Sequence, residues 1–185
     1  MPDSKAPPEL ESPALDSGGL DEPLDLILSE HMRQNTVCGW LSTCADSEDM
    51  AAILPYAERL LAFLTEDLPR HCEDEERDLF PLLRQRCARE DGVERIVDQL
   101  SAEHALDRDV VDFLVDDLQR LVAHGRLPNP IRFFINLKAF AVTQMRHLAW
   151  ENRTVLPLAR RRLTDADLAD LGRRMAARRG IELPA

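Results

Sequence analysis

Two stretches of this 185-residue chain set a histidine and a glutamate four residues apart, inside the same string of neighbours. His71-Cys-Glu-Asp-Glu75-Glu-Arg77-Asp-Leu79-Phe-Pro81-Leu82 lies over His147-Leu-Ala-Trp-Glu151-Asn-Arg153-Thr-Val155-Leu-Pro157-Leu158, with His, Glu, Arg, Pro and Leu recurring at one constant offset. A second echo pairs Leu28-Ser29-Glu30-His31 with Leu100-Ser101-Ala102-Glu103-His104. On a helix, residues four apart share a face, so His71 with Glu75 and His147 with Glu151 can each turn an imidazole and a carboxylate the same way. A carboxylate on an apolar stripe costs several kcal/mol unless it is paired or bound to a cation, and two facing carboxylates also repel. Two divalent cations bridged by Glu75 and Glu151, each with two imidazoles, would remove both costs.

These groups need long helices to carry them, and the chain is composed for helices. Leu, Ala and Arg are abundant, aromatic and β-branched residues are sparse, and long stretches lack Gly. Start signals stand at Asp21 before Pro23, at Asp46 with Asp49, at Asp91 with Glu94, at Asn129 with Pro130, and at Thr164 with Asp167. The spacing predicts helices over 22–44, 48–87, 92–124, 130–162 and 165–179, with stops at Gly125 and Gly180. Short connections make consecutive long helices antiparallel neighbours. The expected fold is all-α: an up-down-up-down four-helix bundle over 21–163. Residues 164–185 supply a short capping helix and tail packed on it, and 1–20 form a disordered, Pro- and acid-rich tail.

Each apolar stripe carries a residue foreign to an ordinary core. The first runs Leu24, Ile27, Leu28, His31, Cys38, Leu41, and the second Leu61, Leu64, Leu68, His71, Glu75, Leu79, Leu82. The third runs Val97, Leu100, His104, Asp107, Val111, Leu114, Leu118, Leu121, and the fourth Leu137, Phe140, Ala141, Gln144, His147, Glu151, Val155, Leu158. Four of the five histidines therefore fall on four separate stripes. The fifth, His124, sits beside Gly125 at a helix C-terminus, where an imidazole suits the negative end of the dipole. Pro81 and Pro157 each follow a glutamate by six residues and should bend the helix there.

This pattern resembles the hemerythrin-like (HHE cation-binding) family over roughly residues 20–160. By resemblance, His31, His71, Glu75, His104, His147 and Glu151 are the metal ligands and the cations are two irons, although imidazole and carboxylate ligands also suit manganese and zinc. The resemblance implies a non-haem di-iron protein that binds or senses O2 or NO, reacts with peroxide or buffers iron. The oxygen carriers of the family have a further histidine four residues after the one on the third helix, where this chain has Arg108. Asp107 is the candidate replacement, as a ligand or as an acceptor for a histidine N–H. Cys72, beside His71, is a candidate redox thiol, with filling the edge of the core as its plainer role.

Two other function classes compete. A di-iron oxidoreductase that reduces NO or peroxide, or aids iron–sulfur cluster repair, needs an electron source, and the chain has no flavin, nucleotide or haem motif. A metal-free or zinc-bound helical interaction module would use the tail and the basic last helix as contact surfaces. A formal charge of -11 repels phosphate backbones, and only the arginines from Arg160 to Arg179 offer a basic face, read here as solvated helix. The acidic run Glu66, Asp67, Glu73, Asp74, Glu76 and Asp78 is likewise read as a solvated face. No apolar run approaches the roughly 20 residues of a membrane span, and no apolar segment of a signal peptide opens the chain. A cytoplasmic protein without nucleic-acid or membrane partners is expected, its four cysteines (Cys38, Cys44, Cys72, Cys87) free thiols. The sequence names no protein partner.

Overall fold

Pro23, with its φ already set for a helix and no N–H to leave unpaired, opens the first helix of the computed structural model, which describes residues 20–182. The described residues contain helices and no strand. Helix α1 spans Pro23–Ser47, and α2 is a longer, interrupted helical run over 50–86. Helix α3 spans Val93–His124, α4 covers 130–162, and α5 spans Asp165–Arg178. The expected tail lies outside the described residues except for Leu20, which is buried against α5.

The caps show which start signals operate. Asn129 accepts from the Arg132 N–H at 3.0 Å, and Thr164 with Asp167 forms a reciprocal capping box. Three expected caps move. Glu22 rather than Asp21 precedes α1, Asp49 rather than Asp46 caps the start of α2, and Gly92, at φ 66°, stands before α3. At that last position Asp91 instead accepts from the Ala88 N–H and closes a 3₁₀ turn over Arg89–Asp91. Gly125 ends α3 in the left-handed conformation, its N–H bonded to the Leu121 carbonyl at 2.8 Å.

Helix α1 packs along the Pro130–Trp150 part of α4, α3 packs on the same part, and α2 packs on α3. Helix α5 lies across α1 and the Leu68–Leu79 part of α2. Two apolar clusters result. One joins Val37, Leu41, Phe63, Leu118, Phe133 and Phe140, and the other joins Leu24, Ile27, Leu79, Phe80, Leu100, Leu156 and Met175. Between them runs a buried polar layer that includes His31, Gln34, His71, Glu75, Gln144, His147 and Glu151. Packing on both sides is thus strong enough to hold a layer that would not bury itself.

The prolines do more than bend α2 and α4. A π-helical turn occupies Glu75–Leu79 and another Glu151–Val155, with Phe80 N–H bonded to the Glu75 carbonyl and Leu156 N–H to the Glu151 carbonyl. Pro81 and Pro157 cannot donate to the carbonyls four residues back, and their rings crowd them. One wider turn absorbs the mismatch, and it begins at the glutamate in each case. A third π turn, Phe63–Asp67, stands in the same relation to Pro69, with no histidine or carboxylate of the polar layer on it.

Candidate metal centre

His31 comes from α1, His71 and Glu75 from α2, His104 from α3, and His147 and Glu151 from α4. Their inward atoms form two overlapping sets: His31, His71, Glu75 and Glu151, then Glu75, His104, His147 and Glu151. Within each set the candidate ligand atoms lie within 4.8 Å of one another, and the two glutamates belong to both. Ring centroids are 4.8 Å apart for His31 and His71, and 4.6 Å apart for His104 and His147.

Glu151 divides its oxygens between the sets, with Oε2 at 3.5 Å from His31 Nε2 and Oε1 at 3.2 Å from His147 Nε2. Glu75 Oε1 stands 3.4 Å from His31 Nε2, and its Oε2 stands 3.6 Å from Nε2 of both His71 and His104. None of these contacts satisfies the groups involved. Nε2 of His31, His71 and His147 and all four carboxylate oxygens are buried without a hydrogen-bond partner. Buried polar atoms in such numbers are rare and costly unless something else binds them. Ligands about 2.0–2.2 Å from one cation and at right angles stand roughly 3 Å apart, so the spacing fits donors around shared cations. The donor set, imidazole with carboxylate, suits iron, manganese or zinc.

Each imidazole is aimed by a partner behind it. Nδ1 of His71 faces Glu30 at 3.0 Å, that of His147 faces Glu103 at 2.9 Å, that of His104 faces Glu76 at 2.8 Å, and that of His31 faces the Asn152 side-chain oxygen at 2.6 Å. Acceptors there place the ring proton on Nδ1 and leave Nε2 free as a ligand, the usual arrangement behind metal-bound histidine. The sequence reading missed all four acceptors. Their signal was present, since each is the chain neighbour of a histidine or glutamate of the site and each occupies a repeat position.

The electrostatics of the metal-free site follow from this arrangement. Burial alone would push the His71 imidazole down, but the Glu75 charge and the Glu30 hydrogen bond outweigh it and hold the group up at about 9. His147 is likewise at about 9, with Glu151 and Glu103 overcoming burial. For Glu75, burial favours the neutral acid, yet His71 and His31 hold its carboxyl well below the usual range. Glu30 falls to about 2 because His71 and Arg179 overcome its burial.

Asp107 belongs to neither set. It accepts from the Thr143 hydroxyl at 3.4 Å and borders, with His104 and Cys72, a cavity of ≈ 730 Å³ between α2 and α3. Burial, reinforced by the Glu75 charge, pushes the Cys72 thiol well above its ordinary value, which disfavours the reactive thiolate. Trp150 is partly buried against the second apolar cluster, and His124 is exposed at the end of α3.

Parts of the two faces read as solvated are covered, while Glu66, Arg160, Arg161 and Arg173 stay exposed. Asp74 and Asp78 are 0% and 4% exposed, and the arginines of α5 turn onto them. Arg178 contacts both, Arg174 reaches Asp78 at 3.3 Å, and Arg179, itself 4% exposed, reaches Asp74 at 2.6 Å and Glu30 at 2.9 Å. Charge sequences alone do not reveal this, because the partners lie some hundred residues apart and meet only when α5 folds back on α2. Arg77 pairs with Glu73 at 2.9 Å.

Comparison with known proteins agrees with this geometry. The family description "Hemerythrin HHE cation binding domain" matches residues 22–159, which include every residue of both sets. A Haemophilus influenzae protein of uncharacterized function is 24% identical over 166 residues, covering 88% of this chain and 92% of the relative.

Proposed function

Because the chain belongs to the hemerythrin HHE cation-binding domain family, we propose that it holds two iron ions side by side and uses them to bind or sense a small ligand, O2 or NO. In this reading α1–α4 form an antiparallel up-down-up-down bundle over 21–163, α5 caps it, and the protein works in the cytoplasm. No helix among the described residues is long and apolar enough to cross a membrane. The observation that carries the proposal is the pair of overlapping sets: four histidines and two shared glutamates, with Nε2 of His31, His71 and His147 and all four carboxylate oxygens buried and unpartnered.

Bound iron would supply a Lewis-acidic, redox-active centre with open positions for a diatomic molecule. The chain's own groups do the remaining work. Glu75 and Glu151 offset the positive charge of two neighbouring cations, and the histidine acceptors fix each ring. The two apolar clusters exclude bulk water from either side. The cavity between α2 and α3 supports the small-ligand reading, since its largely apolar wall of Leu64, Leu68, Val111 and Val115 leads to His104. Protein loaded with ferrous iron without oxygen should change its visible absorption when O2 or NO is admitted. Failure of both gases to alter the spectrum of a fully loaded sample would contradict ligand binding.

A further inference from the structure

The acceptors behind the histidines follow the internal repeat. Glu30 precedes His31 and holds His71, and Glu103 precedes His104 and holds His147. Glu76 follows Glu75 and holds His104, whereas Asn152 follows Glu151 and holds His31. Glu30 therefore answers to Glu103, and Glu76 to Asn152. Three of these acceptors are carboxylates and one is a neutral amide.

An imidazole that binds a cation through Nε2 donates its Nδ1 proton. A carboxylate acceptor draws on that proton and makes the ring a stronger ligand, while an amide does so much less. Behind the His31/His71 position stand Asn152 and one carboxylate, Glu30, whose charge is met at 2.9 Å by the buried Arg179. Behind the His104/His147 position stand two carboxylates. Glu76 is bonded to the neutral Ser101 hydroxyl at 2.9 Å, and Glu103 to the neutral Gln99 amide at 3.2 Å. The cation nearest to Glu103 is Arg146, 3.8 Å away and 69% exposed, so solvent screens it.

We propose that Asn152 and Glu76 make the two cation positions unequal, so that the His104/His147 position fills first and holds its cation more tightly. The inference rests on the two-cation reading above. Both residues are positioning residues that act through an imidazole, and neither need touch a cation. The His31/His71 position is then the weaker one, from which a cation exchanges more readily. The tighter position is also the one that meets the cavity, whose wall includes His104, Glu76 and Ser101.

The test is an anaerobic titration of the full chain with ferrous iron against a competing chelator, with circular dichroism to establish that each variant is folded. Wild type should bind two irons in two steps. His147→Gln should abolish the tighter step and His71→Gln the weaker. Glu76→Asn should weaken the tighter step by about 10–100-fold, the usual effect of losing a partner behind a ligand. The exchange Glu76→Asn with Asn152→Glu conserves charge and should reverse the order, so that His71→Gln then abolishes the tighter step. A merely structural role for these residues predicts no reversal. The inference is overturned if wild type binds two irons but His71→Gln removes the tighter step, or if the exchange leaves the order unchanged. Fewer than two irons in wild type would overturn the two-cation reading and this inference with it.

Discussion

Arg179 donates to Glu30 at 2.9 Å, and Glu30 accepts from Nδ1 of His71 at 3.0 Å, so the end of the last helix is tied to a histidine of the buried polar layer through one carboxylate. The same guanidinium reaches Asp74, which has no exposure to solvent. A helix docked only through its apolar face, Leu171 and Met175, would need no such contact.

Replacing Arg179 with Met would leave Glu30 and Asp74 short of a buried countercharge. Breaking a buried pair by removing one partner costs about 3–5 kcal/mol, and urea unfolding of the metal-free protein should lose that much. A loss under about 1 kcal/mol would mean that Arg178 suffices for Asp74 and His71 for Glu30.

Gly172 is where α5 comes closest to the chain's first described residue. A Cβ at this position would lie 2.4 Å from the Leu20 carbonyl oxygen, a backbone atom that cannot swing aside. Gly172→Ala should therefore destabilise by about 1–3 kcal/mol despite its better helix propensity, as overpacking does. A stabilised variant in thermal unfolding would show that Leu20 does not dock there.

Much of this could be read from residue order. The helix extents were legible from 3-4 periodicity and caps, and the six residues that the fold brings together in two overlapping sets from the coincidence of repeat and stripe. Asp49 took the cap from Asp46 because α1 runs three residues past its expected end at 44, to Ser47. The π turns at Glu75 and Glu151 were signalled only as proline bends, since sequence shows the missing donor but not where the helix widens to absorb it. The pairing of Asp74 and Asp78 with α5 was illegible, because an acid on a charged helix looks solvated until a distant element covers it.

The metal-free protein should lose stability as pH rises. His71 and His147, held at about 9 when folded, release their protons at the ordinary 6.5 when unfolded. Their contribution is therefore complete below pH 6.5, shrinks as pH rises above it, and is lost through about 9. Glu30 works in the opposite sense, contributing above its ordinary 4.5 and losing that contribution as pH falls through about 2. Melting temperature without metal should peak between these limits and decline toward pH 9, whereas a profile rising from pH 7 to 9 would contradict the assigned charges. Cation binding at pH 7.5 should expel protons, detectable with an indicator dye in weak buffer.

Counting irons tests the shared glutamates most directly. Ferrous iron retained per chain after anaerobic loading and gel filtration should be two for wild type and about one for His147→Gln. Glu151→Ala, which removes a ligand from both sets at once, should weaken both ions together. Two irons in wild type with loss of only one in Glu151→Ala would contradict sharing, and a wild-type chain that retains none would contradict the metal centre itself.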